Sequence, residues 1–368
     1  QEAMASAMLG VGKQLGIPKP RCLPALLSGA KAVRRHTAAV EKQGQELLAS
    51  LRPDDKVLVL ITRNYGLSDP VLNMGIPRLL LERGHKVITL SHLPAHDLDL
   101  SEDYPNLYWP FGQHILSGAK LVAHHPNLYA VYLTNHGCGP DTMLSYLFRK
   151  EMGDKPYLQI EVDEHFSPVG VITRIEAFLQ SLEGRPAQPL PAGFSLTSVV
   201  HRPTAVAAVP ERTGGPLLVP DLPPFTAYLR AYCEAAWETE TRTLRLDSTT
   251  LPLGRAETSS KEYLPFPALL GGVLTAAEAE SGPFQVLLPS TQGAEADGQY
   301  PWGVETVLER QGLCRVKVIA PELETLPERC PEPDLLFRAF LVGDLLLCAP
   351  PEQRDALAPA GVPGWAEL

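Results

Sequence analysis

The sequence predicts a doubly wound, mostly parallel α/β fold followed by a second, smaller α/β unit. Three observations carry that expectation. Short continuous apolar runs bounded by polar residues, of which Lys56-Val-Leu-Val-Leu-Ile-Thr62 is the clearest, suit strands buried on both faces. These runs alternate with helix-forming stretches over about 130 residues, as βαβ units require. Polar loops follow two of the strands at the same end, and in an open parallel sheet the carboxyl ends of the strands are where ligands bind.

Residues 1–52 read as a helical N-terminal segment interrupted at Ile17-Pro-Lys-Pro-Arg-Cys-Leu-Pro24, with Leu26–Leu51 free of proline. Residues 53–184 form the expected Rossmann-like domain. Its strands fall at Lys56–Thr62, Lys86–Leu90, Tyr129–Thr134 and Tyr157–Val162. Between them come a turn-rich loop at Arg63–Pro70 and helices at Val71–Arg83, Gln113–Ala123, Thr142–Met152 and Val169–Leu182. Residues 185–250 read as a proline-rich arm, with one short strand at Ser195–Val200 and a helix at Thr226–Thr241. Residues 251–348 give the second α/β unit, with strands at Phe284–Leu288 and Arg315–Ile319 and helices near Phe266–Glu280, Trp302–Gln311 and Leu335–Leu347. Residues 349–368 are a polar tail.

The 368 residues are 45% hydrophobic and carry a formal net charge of −10, which argues against nucleic acid or an anionic membrane as the main partner. No apolar run approaches the roughly 20 residues that span a bilayer, and the first residues lack the basic and apolar regions of a secretion signal. A cytoplasmic location is expected. The chain does not begin with Met and is expected to be a piece of a longer polypeptide. None of the six cysteines shares a CxxC spacing, which excludes a zinc ribbon or thioredoxin motif.

Two loops could carry chemistry. In Asn135-His-Gly-Cys-Gly-Pro-Asp141, glycines flank Cys138 and Pro140 suits the first position of a helix. A thiolate there is stabilised by the aligned peptide dipoles, the environment of a reactive cysteine or a metal ligand. A tight turn with a space-filling cysteine reads equally well. The run Glu161-Val-Asp-Glu-His165 supplies three carboxylates and an imidazole. It suits acid–base work or a hard cation, or else a solvated turn whose Asp163 or Glu164 caps the next helix, with Arg174 as an ion-pair partner. The catalytic candidates are therefore Asp141, Glu161, Asp163, Glu164 and His165. A third loop, Pro289–Tyr300, matches neither GxGxxG nor the Walker pattern.

Several phrases together resemble one family: RNYGLSDPVLNMGIP, YWPFGQHIL, NHGCGPDTM, GDKPYLQIEVDEHFSPVGVITRIEAF, SKEYLPF and LPSTQGAEADGQY. They are similar to the large proteins related to 2-hydroxyacyl-CoA dehydratases and their activators, including benzoyl-CoA reductase-type subunits and double-cubane iron–sulfur proteins. The likeness runs from about residue 30 to residue 345. It implies a module supporting low-potential electron transfer through a cysteine-bound cluster of the 4Fe–4S type, with an ATP-dependent activator or a sister subunit as partner and an acyl-CoA as substrate. Cys138 then stands as a cluster ligand, and Asn135, His136, Gly137, Gly139 and Tyr65 as its cofactor-binding surroundings.

The chain also departs from the family pattern. Tyr263 and Glu295 occupy positions where the family carries cysteine, and neither is a good substitute for a thiolate. Asn64 and Gly66 stand where proline and histidine are common, and other family cysteines fall upstream of Gln1. Three readings stay open: a module whose cluster draws ligands from elsewhere, a cluster-less structural or partner-binding paralogue, and a cluster-free enzyme acting on a small molecule through Cys138 and the acidic loop.

Overall fold

The computed structural model describes residues 2–163, 167–185, 194–196, 201, 206–212, 214–322 and 333–350. The apolar run at its start forms β1 (Val57–Ile61), in which all five residues are buried. It pairs in parallel with β2 (Lys86–Thr89) on one side and β3 (Leu128–Asn135) on the other, and β3 pairs with β4 (Leu158–Val162). The strand order β2-β1-β3-β4 is that of a doubly wound sheet.

Alternation along β1 shows why both faces must be apolar. Leu58 and Leu60 pack with Ile76 and Leu80 of α4 (Ile76–Glu82) and with Val171, Ile175 and Phe178 of α7 (Pro168–Glu183). Val57, Val59 and Ile61 point the other way, into a core with α5 (Pro110–His124) and α6 (Gly139–Met152). A strand between two helix layers cannot alternate polar with apolar residues, and that makes it legible as a run.

The second sheet repeats this plan. Its strands β5 (Leu217–Pro220), β6 (Thr241–Leu244), β7 (Phe284–Leu287) and β8 (Val316–Ile319) lie in the order β6-β5-β7-β8, again all parallel. One face is covered by α8 (Phe225–Trp237) and α12 (Pro333–Cys348), through Tyr228, Tyr232 and Phe340. The other is covered by α10 (Pro265–Ala279) and α11 (Tyr300–Arg310). The inner helices of both units share one continuous core, where Tyr146 meets Phe266 edge-on at 5.2 Å and donates to the Gly303 carbonyl.

Several elements differ from the sequence expectation. The proline-rich arm contains β5, one of the two inner strands of the second sheet, and β6 falls at the end of the expected helix. Four buried residues between Pro216 and Asp221 are too short a run to stand out among prolines. As an edge strand with two exposed residues, β6 presents no apolar run at all. Of the strand expected at Ser195–Val200, Ser195 and Leu196 are not extended in a sheet, and residues 197–200 lie outside the described residues. The loop after β1 holds the short helix α3 (Asn64–Ser68), and the next helix begins at Ile76, not Val71, after left-handed Met74 and Gly75.

Two imidazoles are buried against the first sheet. Burial, aided by the charge of His96 stacked on it at 3.9 Å, pushes His114 down to about 4. Burial, then the charges of Lys155 and His124, pushes His125 down to about 4, and its Nδ1 accepts the Asn127 N–H at 3.2 Å. Both folded values lie below the ordinary 6.5. Their contribution to stability is therefore complete above that pH and lost as pH falls through 4, roughly 3 kcal/mol for each. Glu305, which burial pushes up to about 7, opposes part of that loss. Urea unfolding should show the wild type losing more stability between pH 7 and pH 4 than a His125→Gln variant does. Equal losses would contradict the assignment.

Candidate functional site

In the first sheet the chain steps from β1 to β2 on one side and returns to β3 on the other, so a crevice opens between the carboxyl ends of β1 and β3. Arg63 and the Asn135–Asp141 loop stand at its two lips. Gly137 takes φ +64°, a left-handed turn that brings Cys138 to the cap of α6 and Pro140 into its first turn.

Asp141, in that first turn, is buried and folds back on the strand end. Its Oδ2 accepts the Asn135 N–H at 2.7 Å, and its Oδ1 accepts Arg63 Nε at 3.2 Å and Nη2 at 2.8 Å. The same Arg63 Nη2 lies 2.7 Å from Cys138 Sγ, and the guanidinium sits 4.3 Å above the Phe111 ring. Burial works against the Arg63 charge, yet the hydrogen bond to Asp141 and the charges of Asp141, Cys138 and Tyr65 hold it above its ordinary value. Asn135 Nδ2 donates to the Tyr65 hydroxyl at 3.0 Å.

A second set of contacts ties this loop to the other unit. Lys261 Nζ reaches Thr134 Oγ1 at 3.1 Å and Glu161 Oε2 at 3.0 Å, while Glu161 Oε1 meets His136 Nδ1 at 3.0 Å. Burial alone would raise the Glu161 carboxyl, but Lys261 and then His136 hold it below the usual carboxylate range. Tyr263 donates to the Gly137 carbonyl at 3.0 Å. Trp109 Nε1 donates to Ala294 O at 3.0 Å, and Asn106 Nδ2 to Ser290 Oγ at 2.6 Å. Tyr300, pushed up to about 12 by burial, is also under the charges of Asp297, Tyr263 and Glu295. Tyr263 thus reaches the Cys138 loop from the segment before α10, while Trp109, at the start of α5, holds Ala294, the residue before Glu295.

Helix N-termini favour negative charge. At α6 Asp141 supplies it, already paired with Arg63, and Glu161 on β4 is paired with Lys261. The sulfur of Cys138 is likewise taken up by Arg63. Among the described residues no group of three or more His, Cys, Asp or Glu side chains could hold a metal ion. A cubane cluster needs thiolates. The crevice offers one cysteine, which a guanidinium touches, and beside it Tyr263 brings a hydroxyl. The residues present do not fit a cluster held by this chain alone.

The sequence-based candidates divide clearly. Asn135, His136, Gly137, Cys138, Gly139, Asp141, Tyr65 and Glu161 meet around the crevice. Asp163 follows β4 and is half-buried, and Glu164 and His165 lie outside the described residues. The cation on Glu161 is Lys261; Arg174 is exposed on α7. Sequence reading passed over Arg63 and Lys261 as site residues. Their one available signal was position, since Arg63 lies two residues beyond β1 and Lys261 sits in the SKEYLPF phrase.

Residues 1–93 match the family model of the CoA enzyme activase uncharacterised domain (DUF2229), so an activase-related domain occupies the first quarter of the chain. That agrees with the activase-related resemblance of its sequence phrases. The matched segment covers the N-terminal helices and β1 to β2, including Arg63 and Tyr65, and ends before Cys138. No curated protein and no solved structure matches the chain. Among the described residues no helix is long and apolar enough to cross a membrane.

Proposed function

We propose that this chain is a structural, partner-docking module of a CoA enzyme activase-related protein, one that keeps the two-unit α/β frame of that system but holds no cluster of its own. Its partner is the ATP-dependent activator or the acyl-CoA dehydratase component that an activase-related domain serves. The observation that carries this reading is the position of Arg63, bonded through one guanidinium to both Asp141 and Cys138 Sγ. A sulfur committed to that contact, with Tyr263 closing the loop from the other unit, makes a brace between units.

A cluster-free enzyme is the weaker reading, because the crevice carboxylates already carry partners. Two cavities of about 450 Å³ lie away from the crevice, one beside Lys56, Arg83 and Glu176 and another beside Glu211, Glu305 and Lys317.

Anaerobic reconstitution with iron and sulfide tests the proposal. Wild type and Cys138→Ser should both retain only background iron and show no charge-transfer absorption near the visible region. Iron and acid-labile sulfide retained by the wild type and lost in Cys138→Ser would overturn it. Immobilised chain should also retain the activator component without any cluster present.

A further inference from the structure

The N-terminal helices leave a large amphipathic surface that the crevice does not explain. The helix α2 (Lys19–Ala49) has 31 residues and is about 46 Å long, but it meets the body only near its C-terminal end. There Gly44 lies so close to the His92 carbonyl that a Cβ would stand 2.0 Å from it, and Leu47 and Leu48 join the core. The remainder projects outward, with α1 (Glu2–Gln14) laid against it where Gly12 meets Cys22. Leu23 is 51% exposed and Leu27 64%, one turn apart on one face of α2, with Leu15 70% exposed where α1 turns into it. Apolar exposure of that extent on neighbouring turns marks an interaction site.

Charge says what covers it. Residues 3–40 contain Lys13, Lys19, Arg21, Lys31, Arg34 and Arg35 and no Asp or Glu. Taking those six cations from the net −10 of the whole chain leaves −16 on the remainder. Among the described residues none of the six meets a carboxylate. Two such hairpins would repel each other, whereas the body of another copy would attract them. The body carries a face on α12, where Phe337, Leu341 and Leu345 form an exposed stripe at i, i+4 and i+8, flanked by exposed Asp334 and Asp344 and by one exposed cation, Arg338, which offsets part of their charge. Antiparallel pairing with Leu27 opposite Leu341 sets Arg34 opposite Asp334 and brings Arg21 within a turn of the position opposite Asp344.

We infer that the basic hairpin docks on α12 of a second copy of this chain, and that the contact is made twice about a two-fold axis. A symmetric pair in which each copy donates one face and accepts the other is closed and does not polymerise. An anionic bilayer also attracts basic amphipathic helices, but the strongly acidic body opposes it.

Sedimentation velocity on the chain tests this. The expected species has twice the 40.0 kDa mass of one chain and dissociates as salt is raised. Reversing charge on α2 (Arg34→Glu with Arg35→Glu) or on α12 (Asp334→Lys with Asp344→Lys) should each weaken the dimer at least about ten-fold. Combining the two reversals should restore it. All four positions are exposed, so far-UV circular dichroism should be unchanged. A monomeric wild type, a dimer indifferent to both reversals, or a monomer that floats with phosphatidylserine vesicles would overturn the inference.

Discussion

Replacing Asp141 with alanine is expected to cost about 3 to 5 kcal/mol of folding stability, because it strips a buried cation of its partner. Asp141 is 3% exposed and accepts three hydrogen bonds, two from Arg63 and one from the Asn135 backbone. Alanine leaves the Arg63 charge half-buried without a carboxylate, beside the Cys138 sulfur and the Phe111 ring, and leaves the Asn135 N–H without that acceptor. Asp141→Asn should cost less, since the amide oxygen can still accept from the backbone. The removal of both charges in Arg63→Met with Asp141→Leu should cost less than the two single changes added together. Urea unfolding of the four proteins measures the coupling. A single-site loss for Asp141→Ala below about 1 kcal/mol, the range of an exposed ion pair, would show that the contact is not the brace described here.

The other large effect is expected at Gly254, and it is steric rather than electrostatic. There α9 (Leu251–Glu257) crosses α10 backbone against backbone: a Cβ on Gly254 would lie 1.8 Å from Pro267 O and 2.7 Å from Gly271 N. Gly271 faces the same constraint from the other side, with Thr250 O at 2.3 Å. No side-chain rotation relieves a clash with main-chain atoms, so Gly254→Ala must push the helices apart. A loss of about 3 kcal/mol or more is expected. The segment joining these helices carries Lys261 and Tyr263, so the same change should loosen their grip on the β3–α6 loop and speed alkylation of Cys138. Gly29→Ala is the matched control. It sits on the exposed part of α2 with nothing within 4 Å, and should raise stability by up to about 1 kcal/mol. If both alanines behaved alike, the close crossing would be wrong.

The first sheet was largely readable because burial on both faces forces its strands to be continuous apolar runs, and β1, β3 and β4 fall within a residue or two of where those runs lie. The second sheet was half hidden. Its inner strand β5 is four residues among prolines, and β6 is polar because an edge strand is wetted. The repeated strand order could emerge only once both were in place. At the site, the GCGPD and EVDEH loops were visible as local concentrations of chemistry. What they touch was not: Arg63 reaches Asp141 across 78 positions, and Lys261 reaches Glu161 from the other unit. Local spacing carries no trace of such pairs. Tyr263 stood out only as a departure from a family pattern, and its hydroxyl on the Gly137 carbonyl gives that departure a structural use.

The family resemblance pairs positions 138, 263 and 295 as cysteines, and the proposal is that the residues now at 263 and 295, not the α/β frame, keep a cluster out. Tyr263→Cys combined with Glu295→Cys puts thiols at all three positions. After anaerobic reconstitution and desalting, iron and sulfide should remain bound to this variant above the wild-type background, and the further change Cys138→Ser should diminish them. Equal cluster content in wild type and the double variant, or none in either, would contradict the account.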